Sequence, residues 1–150
     1  MDAEAAIKPN IKQTVPFFGV SSMEKSLRFY IDGLGFKMTK QWIPEGDPEG
    51  KIRWCWLELD EVALMLQEHR GKETNSWELL GKVGVGVSIC YQCADALAYY
   101  REVKSRGFTT QRPFVGNNMW VVNITDPDGY SLSFESPTDA PEESELIESP

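Results

Sequence analysis

The chain has 150 residues, 41% of them hydrophobic and 25% charged, which suits one ordinary globular domain with a core of its own. No run approaches the roughly 18 apolar residues that cross a bilayer, and a net charge of −8 leaves no basic stripe for a nucleic acid or an anionic membrane. Three cysteines (Cys55, Cys90 and Cys93) follow a polar start, so reduced thiols and a cytoplasmic setting are expected.

A polar arm, residues 1–13, precedes the first predicted strand at 15–20. Met23, Leu27, Tyr30 and Ile31 then recur at helical spacing, and Gly35 stands where a helix stops and the chain turns back. Strand-like runs follow at 36–42, 52–59 and 62–67, the first two separated by the Pro- and Gly-rich stretch 44–50. A linker, 68–82, leads to a second set on the same plan. It has a strand at 83–91, a helix carrying Leu97, Tyr100 and Val103, a stop at Gly107, and strands at 108–112, 119–125 and 130–135. Asp126, Pro127, Asp128 and Gly129 form the turn between the last two.

Leu27 and Tyr30 match Leu97 and Tyr100 at an offset of 70, and Phe36 matches Phe108 at 72, the mark of an internal repeat. The expected architecture is therefore α+β. Two βαβββ modules, 14–67 and 83–136, should form a curved, partly open mixed sheet around a cleft, with the helices outside. The final stretch, 137–150, holds five acids and no base, and the rest has 18 acids against 15 bases. It is expected to be a disordered acidic tail.

Parity assigns the faces of the strands. If Asp60 and Glu61 form a two-residue turn, Leu59 pairs with Val62 and the register proceeds outward. Cys55, Leu57, Leu59, Val62, Leu64 and Leu66 then share an apolar face that suits packing under the helix. The opposite face carries Trp54, Trp56 and Glu58 against Gln67, Met65 and Ala63, a mixture better suited to a ligand wall than to a sealed core. In the second module, Thr125 set opposite Tyr130 places Trp120, Val122 and Ile124 with Glu135, Ser133 and Ser131. Taken singly, a tryptophan is as often a packing residue as a ligand contact.

These residues resemble the glyoxalase / bleomycin-resistance / extradiol-dioxygenase superfamily, also called the vicinal oxygen chelate superfamily. The marks are Ser22 to Tyr30 (Ser-Met-Glu-Lys-Ser-Leu-Arg-Phe-Tyr), Leu34-Gly35-Phe36, Asp95-Ala96-Leu97, Gly107-Phe108, and Asp126-Pro127-Asp128-Gly129-Tyr130 with Leu132 and Phe134. The likeness covers roughly residues 14–136. Enzymes of that superfamily hold a divalent metal at four inward strand positions, which fall here on Val15, Met65, Gly86 (Val85 with a one-residue slip) and Ser133. None offers the imidazole, carboxylate or thiolate that such metals require, so neither metal nor another cofactor is expected.

Other constellations carry less. His69, the single histidine, lies just past a strand and reads as solvated; with Glu58 and Glu135 it is the fallback ligand set for a relocated metal. Cys90 and Cys93 have redox-motif spacing but end a strand, so structural thiols are expected. The run 81–86 is no phosphate loop, because no helix follows it.

The hairpin around Trp56 to Leu66 is similar to the bleomycin-resistance type, whose members also lack the metal ligands. That resemblance implies a metal-free small-molecule-binding protein and a homodimer rather than an enzyme. Trp54, Trp56 and Trp120 would stack on a planar or cationic aromatic ligand, and Glu58 and Glu135 would supply charge. Met65, Gln67, Asn118, Ser131 and Ser133 would complete the wall. The rival is a metal-dependent glyoxalase-like lyase or dioxygenase with relocated ligands.

Overall fold

In the computed structural model, residues 9–68 and 82–148 are described. Ser22 starts the first helix by accepting the Lys25 N–H on its hydroxyl at 3.3 Å, and Asp95 caps the second by accepting from Ala98 at 3.0 Å. The first module contains β1 (Phe17–Val20), α1 (Met23–Leu27) running on as a π-helical segment (Arg28–Gly33), β2 (Lys37–Trp42), β3 (Trp54–Leu59) and β4 (Val62–Glu68). The second contains β5 (Ser88–Gln92), α2 (Ala96–Ser105), β6 (Phe114–Gly116), β7 (Met119–Thr125) and β8 (Ser131–Pro137). Gly35 and Gly107, at φ +90° and +86°, turn the chain out of the two helices in the left-handed region that glycine enters freely.

The sheets run β1-β4-β3-β2 and β5-β8-β7-β6. β1 pairs with β4, and β5 with β8, in parallel; every other pairing is antiparallel. The sequence repeat is therefore a repeat of topology, and the chain is α+β with two open four-stranded mixed sheets. Two predicted strands are shorter than expected. The stretch from Val83 is a turn as far as Gly86, and β5 begins only at Ser88. The strand expected at 108–112 makes no regular ladder, and β6 starts just after Pro113, which has no N–H to give.

Each helix packs on one face of its own sheet and leaves the other face open. The modules meet through these helix-bearing sides. Phe29 meets Phe108 edge-on, Tyr99 donates its hydroxyl to the Leu34 carbonyl at 2.8 Å, and Tyr130 stacks on Phe18 at 4.0 Å. Tyr30 reaches Asp126 at 2.8 Å. One buried cluster runs through both modules, from Phe18, Tyr30, Leu57 and Leu66 to Tyr100, Val122, Leu132 and Phe134. A fully buried aromatic or branched side chain contributes about 1.5–3 kcal/mol, so this shared core makes the two modules one folding unit.

Two loops are fastened by charge. Arg53, 7% exposed, meets Asp47 at 3.4 Å, Glu49 at 3.0 Å and the carboxylate of Glu68. Glu68 also accepts the Met23 N–H at 2.7 Å, which ties the loop before β3 to the start of α1. The acidic segment after β8, expected to be disordered, takes a defined course along β6. Val115 N–H donates to the Ser144 carbonyl at 2.8 Å, Glu143 N–H to Val115 at 3.0 Å, and Leu146 packs against the core. Composition missed this because the acids have fixed partners. Glu142 accepts from Asn117 and Asn118, and Glu148 meets Lys104 at 3.0 Å.

Candidate functional site

The β3–β4 hairpin has the expected register, with Leu59 opposite Val62, Glu58 opposite Ala63, Trp56 opposite Met65 and Trp54 opposite Gln67. Cys55, Leu57, Leu64 and Leu66 are fully buried toward the helix, and burial pushes the Cys55 thiol up to about 11. The alternate positions therefore form the open face. Trp54, Trp56, Met65 and Gln67 are half-buried on it, and Glu58 is exposed.

The neighbouring strands extend that face. Phe17 and Gly19 stand beside Met65 and Gln67, while Trp42 and Lys40 stand beside Trp54 and Trp56. A bulge at Thr39 keeps Lys40 on this side. The Lys40 ammonium sits 4.9 Å from the centre of the Trp56 ring, and the Trp56 indole N–H donates to Glu58 at 3.1 Å. Trp56 thus already holds a cation over its face and a carboxylate at its edge.

The second hairpin departs from the expected register by one residue. Thr125 lies opposite Ser131, Asn123 opposite Ser133 and Val121 opposite Glu135. The cause is the turn: Asp126 accepts the N–H groups of Asp128 and Tyr130 on its carboxylate, at 2.9 and 2.8 Å, and its own N–H donates to the Tyr130 carbonyl. Tyr130 is therefore spent on Asp126, and a one-residue slip moves every side chain to the other face. Trp120 consequently belongs to the helix side, with Val122, Ile124, Leu132, Phe134 and Ser136, and not with Ser133 and Glu135.

The open face of the second sheet carries Ser131, Ser133 and Glu135 with Cys90, Gln92, Asn123 and Val121. Ser133 donates to Glu135 at 3.2 Å, and Gln92 reaches the same carboxylate at 3.4 Å. Burial and the Glu135 carboxylate raise the Cys90 thiol, so it is a poor nucleophile at neutral pH. Asn118 lies in the β6–β7 turn at φ +61°, its N–H given to Glu142, and does not join this group.

Of the four positions onto which the resemblance places metal ligands, Val15 and Met65 are half-buried in the first module, Gly86 lies in the turn before β5, and Ser133 is 8% exposed beside Glu135. Glu58 and Glu135 lie in different sheets, each with its own hydrogen-bond partners, and His69 falls outside the described residues. Among the described residues no three His, Cys, Asp or Glu side chains converge as a ligand set. No helix among them is long and apolar enough to cross a membrane.

Lys40, Trp42, Phe17, Asn123 and Gln92 were not foreseen as parts of these faces. The turn-forming capacity of Asp126 was the available signal for Asn123; the bulge at Thr39 had none.

Paired βαβββ modules of this topology, each with one open sheet face, define the fold class. The model of the Glyoxalase/Bleomycin resistance protein/Dioxygenase superfamily matches residues 11–134, and the chain belongs to that superfamily. No curated protein sequence matches it. Among solved structures it is similar to a bleomycin-binding protein complexed with bleomycin, at 21% identity and a TM-score of 0.62, over 84% of this chain and 98% of that one. A bleomycin resistance determinant encoded on the transposon Tn5 aligns at 21% identity and TM-score 0.62, over 87% and 100%. TnmS3, an antibiotic-binding protein from Streptomyces sp. CB03234, aligns at 20% identity and TM-score 0.59, over 90% and 100%. At such identities the likeness establishes the fold.

Proposed function

We propose that this chain is a metal-free protein that binds and sequesters a planar or cationic aromatic small molecule against the open face of its first sheet. The observation that carries the reading is the row Trp54, Trp56 and Glu58 beside Met65 and Gln67, an aromatic wall with a carboxylate at its edge. Lys40 over Trp56 marks the place of a ligand cation, whose contact with an indole is worth about 0.5–2 kcal/mol. The bleomycin- and antibiotic-binding structures of the same fold support this ligand class. The donor-poor positions Val15, Met65, Gly86 and Ser133 favour binding over metal-assisted catalysis.

The modules join through their helix-bearing sides, and the open faces carry Trp42, Phe17 and Phe114, each more than a third exposed. A homodimer that sets the tryptophan face of one copy against the Ser131, Ser133 and Glu135 face of another would close a cleft between them. Three free cysteines fit a reducing cytoplasm.

Metal-free bleomycin titrated into the protein, followed by tryptophan emission and calorimetry, tests the reading. Saturable binding that Trp56→Ala weakens is expected. A stoichiometric ion co-purifying with the protein, with an enzymatic activity lost when a chelator removes it, would overturn it.

A further inference from the structure

A cavity of about 560 Å³ opens where the tip of the β3–β4 hairpin approaches the end of β5 and the start of α2. It shares no residue with the tryptophan wall of the first sheet, and of the second sheet's open face it touches Gln92, at the end of β5. Leu59, Val62 and Ala98 line it beside three stacked rings: Tyr91 lies on Phe134 at 4.6 Å with rings nearly parallel, and the half-buried Tyr99 meets Phe134 at 4.5 Å. Four carboxylate side chains line it (Asp60, Glu61, Asp95 and Glu102), and no lysine or arginine does. Tyr91 is 8% exposed, and its hydroxyl has no hydrogen-bond partner among the described residues.

Charge decides what such a cavity takes. The start of α2 offers the partial positive charge of a helix N-terminus, roughly half a unit. Its amides are partly spent, since Ala96 N–H donates to Ser136 at 2.8 Å and Ala98 N–H to Asp95 at 3.0 Å. Among the described residues, Glu102 alone of the four has an ion-pair partner, Arg106 at 3.6 Å. Up to four formal negative charges therefore outweigh the helix end and exclude an anion. The volume lies in the range of small-molecule sites, and the stacked rings favour a cation with an apolar or aromatic body over a hydrated metal ion.

We propose that this inter-module cavity is a second binding site, for a small organic ammonium ion that lies against the half-buried Tyr99 ring, with Tyr91 and Phe134 packed behind it, under the carboxylates of Asp60, Glu61, Asp95 and Glu102. The site is independent of the open-face wall and stands whether or not that wall binds a drug.

Amide NMR with benzyltrimethylammonium as the probe tests it. The expected result is saturable shifts at Val62, Ala94, Ala98 and Tyr99 that weaken with added salt. In the triple variant Asp60→Asn, Glu61→Gln, Glu102→Gln, affinity should fall by about tenfold or more. That variant keeps side-chain size and the Asp95 cap, and an unchanged spectrum elsewhere verifies its fold. Ala98→Phe, which fills the cavity, should abolish the shifts, whereas Trp56→Ala should leave them. Three results would overturn the proposal: shifts confined to the open faces, equal binding of neutral benzyl alcohol, or full affinity in the triple variant.

Discussion

Tyr30, in the π-helical segment of the first module, donates its hydroxyl to the Asp126 carboxylate of the second at 2.8 Å, across 96 positions of sequence. Both are buried, Tyr30 completely and Asp126 to 4% exposure. Removing the hydroxyl leaves one carboxylate oxygen buried without its side-chain donor, a loss of about 1–3 kcal/mol. Tyr30→Phe should therefore lower unfolding stability by that amount in a urea titration, with the slope unchanged because the core remains. A loss within error would show that the bond joins the modules without stabilising them.

The same carboxylate and the Arg53 loop should respond to pH in opposite senses. Burial holds Asp126 above the ordinary carboxylate range despite the donors around it. A folded pKa above the unfolded one means the folded protein binds that proton more tightly, so this contribution is full in acid and lost as pH rises through the raised value. Asp47 behaves oppositely. Desolvation pulls it upward, but the Lys51 N–H, the Arg53 charge and the Glu49 N–H together bring it below its usual value. The hydrogen bond from Arg53 lowers Glu49 in the same way. Their contribution is present above the ordinary carboxylate pKa and lost as pH falls through the lowered values. Melting temperature followed from pH 7 downward should thus fall in the acid range, and Asp47→Asn should flatten that fall.

The tryptophan wall makes a prediction about a lysine. Lys40 lies over the Trp56 ring, where a ligand cation would sit. Replacing Lys40 with Met removes the competing charge and keeps the length, so a cationic aromatic should bind about two- to thirtyfold more tightly. Trp54→Ala and Trp56→Ala should each weaken it by a similar factor, and Trp120→Ala should not, because Trp120 lies on the helix side. Weaker binding of the cationic aromatic in Lys40→Met would mean that the Lys40 side chain contacts the ligand rather than competing with it for Trp56.

Gly33 lies close against Phe108 of the other module. A methyl group there would come 2.8 Å from the Phe108 ring, which also packs on Phe29. Gly33→Ala would ordinarily favour a helix, yet here the overpacking should cost about 1–3 kcal/mol in thermal unfolding. Phe108→Leu in the same chain should recover part of that loss, which a purely local effect on the helix would not allow.

The parts of this fold that were legible in the sequence are those set by local chemistry. The repeat of Leu27 and Tyr30 in Leu97 and Tyr100 gave the module plan, and the two-residue turn at Asp60 and Glu61 gave the first hairpin's register and its tryptophan face. The second hairpin was misread because side-chain bonding decides its turn: Asp126 binds two amides and claims Tyr130, which shifts the ladder and moves Trp120 to the other face. Long-range contacts were equally hidden. Nothing in the spacing of acids 139–148 announces that Glu142 takes two amides of a turn 24 and 25 residues away.

That acidic segment gives a prediction in which packing and charge can be separated. Leu146 packs against the core and donates its N–H to the Pro113 carbonyl at 2.9 Å, while Glu148 meets Lys104 and Glu145 meets Arg112 at an exposed surface. Exposed pairs are worth about 0–1 kcal/mol and are screened by salt; a half-buried leucine is worth about 1–2 kcal/mol. Leu146→Ala should therefore destabilise the protein clearly in chemical denaturation, and Glu148→Gln should barely register. Hydrogen exchange gives the local readout. The Val115 amide is held by the Ser144 carbonyl at 2.8 Å, so deleting residues 139–150 should strip its protection while the amides of β7 keep theirs. If Val115 stays protected, the segment is an ornament on the edge of β6. If it exchanges freely, these acidic residues close an edge that would otherwise be open to another strand.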